Sequence, residues 1–183
     1  MKNILTIVLS LFSNFLMSQV EQQNYNTLQT FNKIEIREYP PAIYASVTTE
    51  DNNNSQFGIL AGYIFGGNEN KQKIAMTAPV HMYQNKLEKS STMSFVMPSE
   101  YKIDELSKPN DERIVITKSV TKRYAAISYT GYNNSEKFNK YKSELTRQLQ
   151  KENIKTLGDP IYLGYDPPYK FWNRKNEVLI EIN

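Results

Sequence analysis

Displaced by 80 residues, the chain matches itself: Tyr44 falls on Tyr124, Ala45 on Ala125, Val47 on Ile127, and Asn53-Asn54-Ser55 on Asn133-Asn134-Ser135. In each copy an extended run rich in β-branched residues or tyrosine leads through polar turn residues to a serine placed to cap a helix. The first helix is expected to carry Phe57, Leu60, Ala61 and Ile64 on one face and to end at Gly66-Gly67, where glycine can adopt the left-handed conformation that closes a helix. The second carries Phe138, Tyr141, Leu145 and Leu149. A strand pair follows each helix: Lys73 to Tyr83 with Thr92 to Met97, then Ile161 to Tyr165 with Val178 to Ile182. The unit is strand, helix, strand, strand, used twice. Such a duplication gathers one sheet around a pseudo-two-fold axis, with helices on its outside and a ligand groove where the halves meet. Leu106 to Asp111, with Pro109, is the connector, and Asn52 to Asn54 a loop; neither is long enough to separate two domains.

A length of 183 residues fits one domain, and thirteen tyrosines suit sheets and amphipathic pockets. The net charge of +3 is too weak to argue for nucleic acid, and the row Arg147, Lys151, Lys155 reads as a solvated helix face. The chain has no cysteine, which excludes disulfides, thiolate nucleophiles, lipid attachment through a cysteine and the common structural zinc sites. Compartment is therefore argued from the first residues. Met1-Lys2-Asn3 is a short basic start, Ile4 to Met17 is mostly apolar, and Ser18-Gln19 offers a small residue before a polar stretch. Broken by Thr6, Ser10, Ser13 and Asn14, this run is too short and polar to span a bilayer, so residues 1–18 read as a secretory signal peptide. The expected organisation is leader 1–18, N-terminal extension 19–32 and folded domain 33–183, periplasmic or secreted, with no transmembrane segment in the mature chain.

Chemistry has few places to reside. His81 is the only histidine, and strand parity puts Ile74, Met76, Ala78, Val80 and Met82 on one face and Thr77, Pro79, His81 and Tyr83 on the other. A lone histidine on the more polar side of a strand is more often a surface or hydrogen-bonded residue than a ligand. No metal-binding spacing or phosphate-cradling glycine motif is present, and no catalytic constellation. Met76, Met82, Met93 and Met97 fall in the two central strands, either as adaptable ligand contacts or as core filling. Tyr165 to Trp172 places Tyr169, Phe171 and the only tryptophan in a proline-stiffened loop, where they either lie over a flat ring or tuck beneath the loop. Glu177 either pairs with Arg174 or serves as a pocket acid.

Five blocks, in order, resemble the signature segments of SOUL heme-binding proteins: Ile34 to Pro40, Gly62 to Asn68, Lys73 to Val80, Ser94 to Ser99 and Arg174 to Val178. The resemblance implies an α+β fold, a distorted β-barrel of duplicated halves flanked by two helices, similar to bacterial effector-binding domains. It also implies non-covalent binding of heme or a related tetrapyrrole in a shallow apolar groove beside the first helix and the loop before the final strand. The matching positions are Leu60, Tyr63, Ile64, Tyr169, Phe171 and Trp172, with Met76 as a further contact. Some relatives place a histidine, a proposed iron ligand, where this chain has Glu38, and others carry basic residues on the first helix, where Ser55 to Gly67 has none. The expectation is a carrier, scavenger or buffer for a tetrapyrrole or other hydrophobic ligand, without a strong protein ligand to iron. Two alternatives stand beside it: an enzyme on a small hydrophobic substrate using Glu177, and a protein-interaction module.

Overall fold

Two short links decide the shape of this molecule. The computed structural model describes residues 20–50, 55–85 and 87–183, so the expected leader lies outside the described residues, as does the loop 52–54. Its strands are β1 (Glu21–Gln22), β2 (Asn26–Phe31), β3 (Ile34–Tyr39), β4 (Ile43–Glu50), β5 (Thr77–Ala78), β6 (Val80–Asn85), β7 (Ser90–Val96), β8 (Ile114–Lys118), β9 (Lys122–Thr130), β10 (Thr156–Gly164) and β11 (Lys175–Ile182). The helices are α1 (Gln56–Ile64) and α2 (Ser135–Lys151). Nine strands form one antiparallel sheet in the order β2-β3-β9-β11-β10-β6-β7-β4-β8, and β1 pairs with β5 alone. Pro40 to Ala42 join β3 to β4, which lie six places apart in that order. Four peptide steps reach at most about 14 Å, whereas six strand spacings in a flat sheet are about 29 Å. Residues 119–121 impose the same demand on β8 and β9. The sheet must curl, and at this end the two links bond each other, Ser119 N–H donating to the Ala42 carbonyl at 2.8 Å. The expected barrel is thus not closed by strand pairing: β2 and β8 remain edges, and only the crossed links bridge the gap.

The duplication is visible in the strand order. From the centre outward, β10-β11-β9 in one half mirror β6-β7-β4 in the other, and each half's leading strand is exchanged: β3 pairs with β9, β8 with β4. Residues 19–32, set apart as an extension in the sequence, contribute β1 and β2.

Both helices pack on the convex face. α2 buries Leu145 and Leu149, with Phe138 and Tyr141 partly covered, and its N-cap is Asn134, whose side chain accepts from Lys137 N–H at 2.8 Å. The expected capping serine, Ser135, is instead the first helical residue. α1 buries Gln56, Leu60, Tyr63 and Ile64, so the inward face is rotated from the expected one: Phe57 sits near the rim with its ring edge-on to Phe95 at 5.4 Å. Its end is a Schellman turn, Gly67 N–H to Gly62 O at 2.8 Å and Gly66 N–H to Tyr63 O at 3.2 Å. Gly66 has φ of 108°, and a Cβ on Gly67 would come within 2.7 Å of Gly62 O, so both positions require glycine.

Candidate functional site

The sites expected from sequence divide into two groups. Leu60, Tyr63 and Ile64 are buried beneath α1 among Ile43, Ala45, Val47 and Phe95, and Met76 packs partly buried against the same cluster. They point into the sheet because the helix must bury an apolar stripe, and a ligand reaches them only if α1 lifts. Tyr63 alone also borders a groove of about 600 Å³ outside α1, lined by Gly58, Ile59, Gly62 and residues 110–112. Of the methionines of the central strands, Met97 is buried and Met82 and Met93 pack partly buried against the same cluster, Met82 also bordering a groove with Phe138 and Tyr162.

Tyr169, Phe171 and Trp172 are the opposite case, exposed at 74%, 70% and 73%. They do not tuck under their loop. The loop is held from behind instead: Arg174 donates to the carbonyls of Pro167 at 2.7 Å, Lys170 at 3.0 Å and Asp166 at 3.1 Å. Asp166 in turn accepts from Lys175 N–H at 2.6 Å and from Lys170 Nζ at 2.6 Å. The loop therefore presents its rings outward on a hydrogen-bonded frame, and it lines neither the α1 groove nor the cavity on the concave face.

Arg174 is thus not the partner of Glu177. Glu177 is fully buried and meets Arg37 in a two-pronged ion pair, Nη1 to Oε2 at 2.8 Å and Nη2 to Oε1 at 2.9 Å. Ser128 donates to Oε1 at 2.8 Å, Tyr165 to Oε2 at 2.6 Å, and Lys175 Nζ lies 3.3 Å from Oε1. Burial would raise the carboxyl pKa, but the Arg37 guanidinium and these other donors outweigh it and hold the group below its usual range. A carboxylate so occupied has no proton for general-acid work. Tyr25 covers the guanidinium at 4.1 Å.

His81 lies opposite the apolar face of its strand, as parity placed it, and in the curled sheet that side is the concave interior. Its Nε2 is 2.8 Å from Gln23 Oε1, and its ring stands edge-on to Tyr44 at 5.4 Å. The surface it retains is cavity wall: it lines a pocket of about 200 Å³ with Tyr39, Tyr44, Tyr83, Ser94 and Tyr124. Desolvation pushes its pKa down to about 4, against the pull of the Glu177 carboxylate two strands away. The unfolded chain takes up this proton near pH 6.5 while the folded chain refuses it until about pH 4, so stability falls as pH drops through that window. The expected loss is about 3 kcal/mol. Urea unfolding at pH 7 and pH 5 should show a steeper acid loss in the parent than in His81→Gln.

Sequence reasoning had not assembled this cavity. The signal was nonetheless present, because Tyr44 and Tyr124, the pair that anchors the repeat, both line it.

The sequence matches the family model described as SOUL heme-binding protein over residues 20–181. The chain belongs to the SOUL heme-binding family. Among curated relatives of this SOUL protein, Heme-binding protein 2 of Homo sapiens is 32% identical over 162 residues, covering 81% of this chain and 78% of the relative. Heme-binding protein 2 of Mus musculus is 30% identical with the same coverage. Among solved structures, the C-terminal domain of EcmrR superposes with a TM-score of 0.62 at 12% identity, over 84% of this chain and 99% of that one. A hydrolase from Listeria innocua gives 0.56 at 8% identity, over 85% and 94%. These structural likenesses establish that the SOUL chain has the architecture of effector-binding domains, and at such identities they carry the fold alone. Among the described residues no group of three or more histidine, aspartate or glutamate side chains is placed to hold a metal, and no helix is long and apolar enough to cross a membrane.

Proposed function

We propose that this SOUL protein binds heme or a related tetrapyrrole by apolar contact outside the cytoplasm, as a carrier, scavenger or buffer. The observation that carries the reading is the framed loop with Tyr169, Phe171 and Trp172 turned to solvent. Three large rings on one loop would be a liability without a ligand or partner to cover them, and a porphyrin offers a flat apolar face to match. Iron needs no side chain in this scheme. His81 is enclosed in the interior cavity, and Glu38, at the position where some relatives carry a histidine, pairs with Arg123 at 3.2 Å. Lys170, on the same loop, is the cation best placed for a propionate, although Asp166 already holds its Nζ. Family membership and the two curated heme-binding relatives support the ligand class, and the N-terminal leader pattern supports export.

The test is a parallel titration of the protein lacking residues 1–18 with hemin and with iron-free protoporphyrin, followed by absorbance and Trp172 quenching. Saturable one-to-one binding of both, with affinities within about tenfold of each other, is the expected result. Strong binding of hemin with none of protoporphyrin would place the interaction at iron and overturn the apolar reading. Gly58→Leu and Gly62→Leu provide the control, since a Cβ at either position meets nothing within 4 Å. Both should leave affinity unchanged if the loop, not the α1 groove, holds the ring.

A further inference from the structure

The concave face is filled in one half and open in the other. In the second half, Ser128 bonds Glu177, and Arg37, Tyr165 and Tyr25 complete a charged plug. The 80-residue repeat gives Thr48 as the counterpart of Ser128 and Thr117 as that of Arg37. Thr48 indeed bonds Thr92, at 2.8 Å, in the place where Ser128 bonds Glu177. No ion pair stands at these positions, and of the three threonines only Thr92 borders the neighbouring cavity. That cavity, of about 200 Å³, lies beneath the crossed links and draws its wall from both copies, with Tyr39, Tyr44, Tyr83, Tyr124 and Ile161 around it and Val120 at its exposed rim.

Its size and charge restrict the occupant. An apolar cavity of about 150 Å³ accepts benzene, so this one accommodates a single ring with one small substituent. Lys122, the charged side chain in the wall, is already neutralised by Glu181 at 2.7 Å, Glu177 is held by Arg37, and the exposed Asp159 is engaged by the Tyr83 hydroxyl. An incoming cation or anion would give up its hydration and find no free counter-charge. Hydrogen-bonding groups remain, because Ser94 Oγ shares its proton only with Ser46 at 2.7 Å, and one His81 ring nitrogen, besides the one facing Gln23, has no bond among the described residues.

We propose that this cavity is a binding site for a small neutral aromatic compound, one ring bearing a single hydrogen-bonding group of the phenol kind, separate from the tetrapyrrole surface on the 165–174 loop. The aromatic walls supply edge and face contacts, and His81 and Ser94 orient the substituent.

His81 is the only histidine in the chain, so its imidazole NMR signals report on this cavity alone. Purified protein would be titrated at neutral pH with p-cresol, and in parallel with tyramine and 4-hydroxybenzoate as its cationic and anionic counterparts. The expected result is a saturable shift of the His81 signals with p-cresol and at least tenfold weaker responses to the charged pair. Ser94→Phe, which fills the cavity, and Val120→Trp, which narrows its mouth from an exposed position that the fold can tolerate, should each weaken p-cresol at least tenfold. Hemin titration should be unchanged in both variants and with p-cresol at saturation. No His81 response at millimolar p-cresol, equal responses to all three compounds, or undiminished binding in Val120→Trp would overturn the proposal, since the cavity would then hold water only or discriminate nothing. Displacement of p-cresol by hemin would overturn the separation of the two sites, whereas failure of hemin to bind at all would count against the tetrapyrrole reading and leave this one standing.

Discussion

Replacing Arg37 by methionine should destabilise the protein by about 3–5 kcal/mol, the characteristic cost of removing one partner from a buried ion pair. The cause is the carboxylate left behind. Glu177 is fully buried, and without Arg37 it keeps only Ser128, Tyr165 and the more distant Lys175. Its pKa would then rise, because burial is no longer outweighed, so the Glu177 contribution changes sign and the variant should lose less stability than the parent as pH falls. Sign and window follow from the two states: the parent's depressed carboxyl contributes stability above its unfolded value near 4.5 and loses it on acidification. Far-UV circular dichroism during urea unfolding is the appropriate readout, since Trp172 is mostly exposed and reports poorly on the core. The double replacement Arg37→Met with Glu177→Leu should regain most of the loss, because a well-packed apolar pair avoids the desolvation of two charges. A single replacement costing under 1 kcal/mol would show that water reaches the pair.

The second large effect concerns binding. Changing Tyr169, Phe171 and Trp172 together to alanine should weaken tetrapyrrole binding by at least a hundredfold, since each ring in contact contributes on the order of 1–2 kcal/mol. The melting temperature should move by less than about 2 °C, because exposed side chains away from caps and ion pairs contribute little to stability. The frame behind the loop separates these outcomes: Arg174→Ala keeps all three rings but removes bonds to three carbonyls, and it should weaken binding by loosening the surface rather than by removing it. Undiminished affinity in the triple variant would remove the loop from the site.

Much of the fold was legible, and the reasons differ by element. The repeat was visible because it is a matter of spacing. The end of α1 was visible because Gly66 and Gly67 serve a conformation other residues resist. Strand parity placed His81 and Tyr83 together opposite the apolar face through local geometry alone, but that this more polar side is the inside of a curled sheet was not visible locally. The exchange of β3 and β8 between halves was not visible, since pairing partners between 67 and 93 residues apart leave no local mark, and β8 itself fell between the assigned elements. Arg37 and Glu177 are 140 positions apart and nothing in either neighbourhood announces the other. A partial signal existed, because Glu35, Arg37 and Tyr39 alternate with Ile34 and Ile36 and so had to face away from the helices together. The expected binding residues were ambiguous for another reason: an apolar stripe on a helix reads the same whether it contacts core or ligand, and Leu60 and Ile64 are buried in the core.

The exchange of leading strands also bears on cooperativity. Each half completes its sheet with a strand from the other, as partners in a strand-swapped dimer do, so neither half can open without stripping a strand from its counterpart.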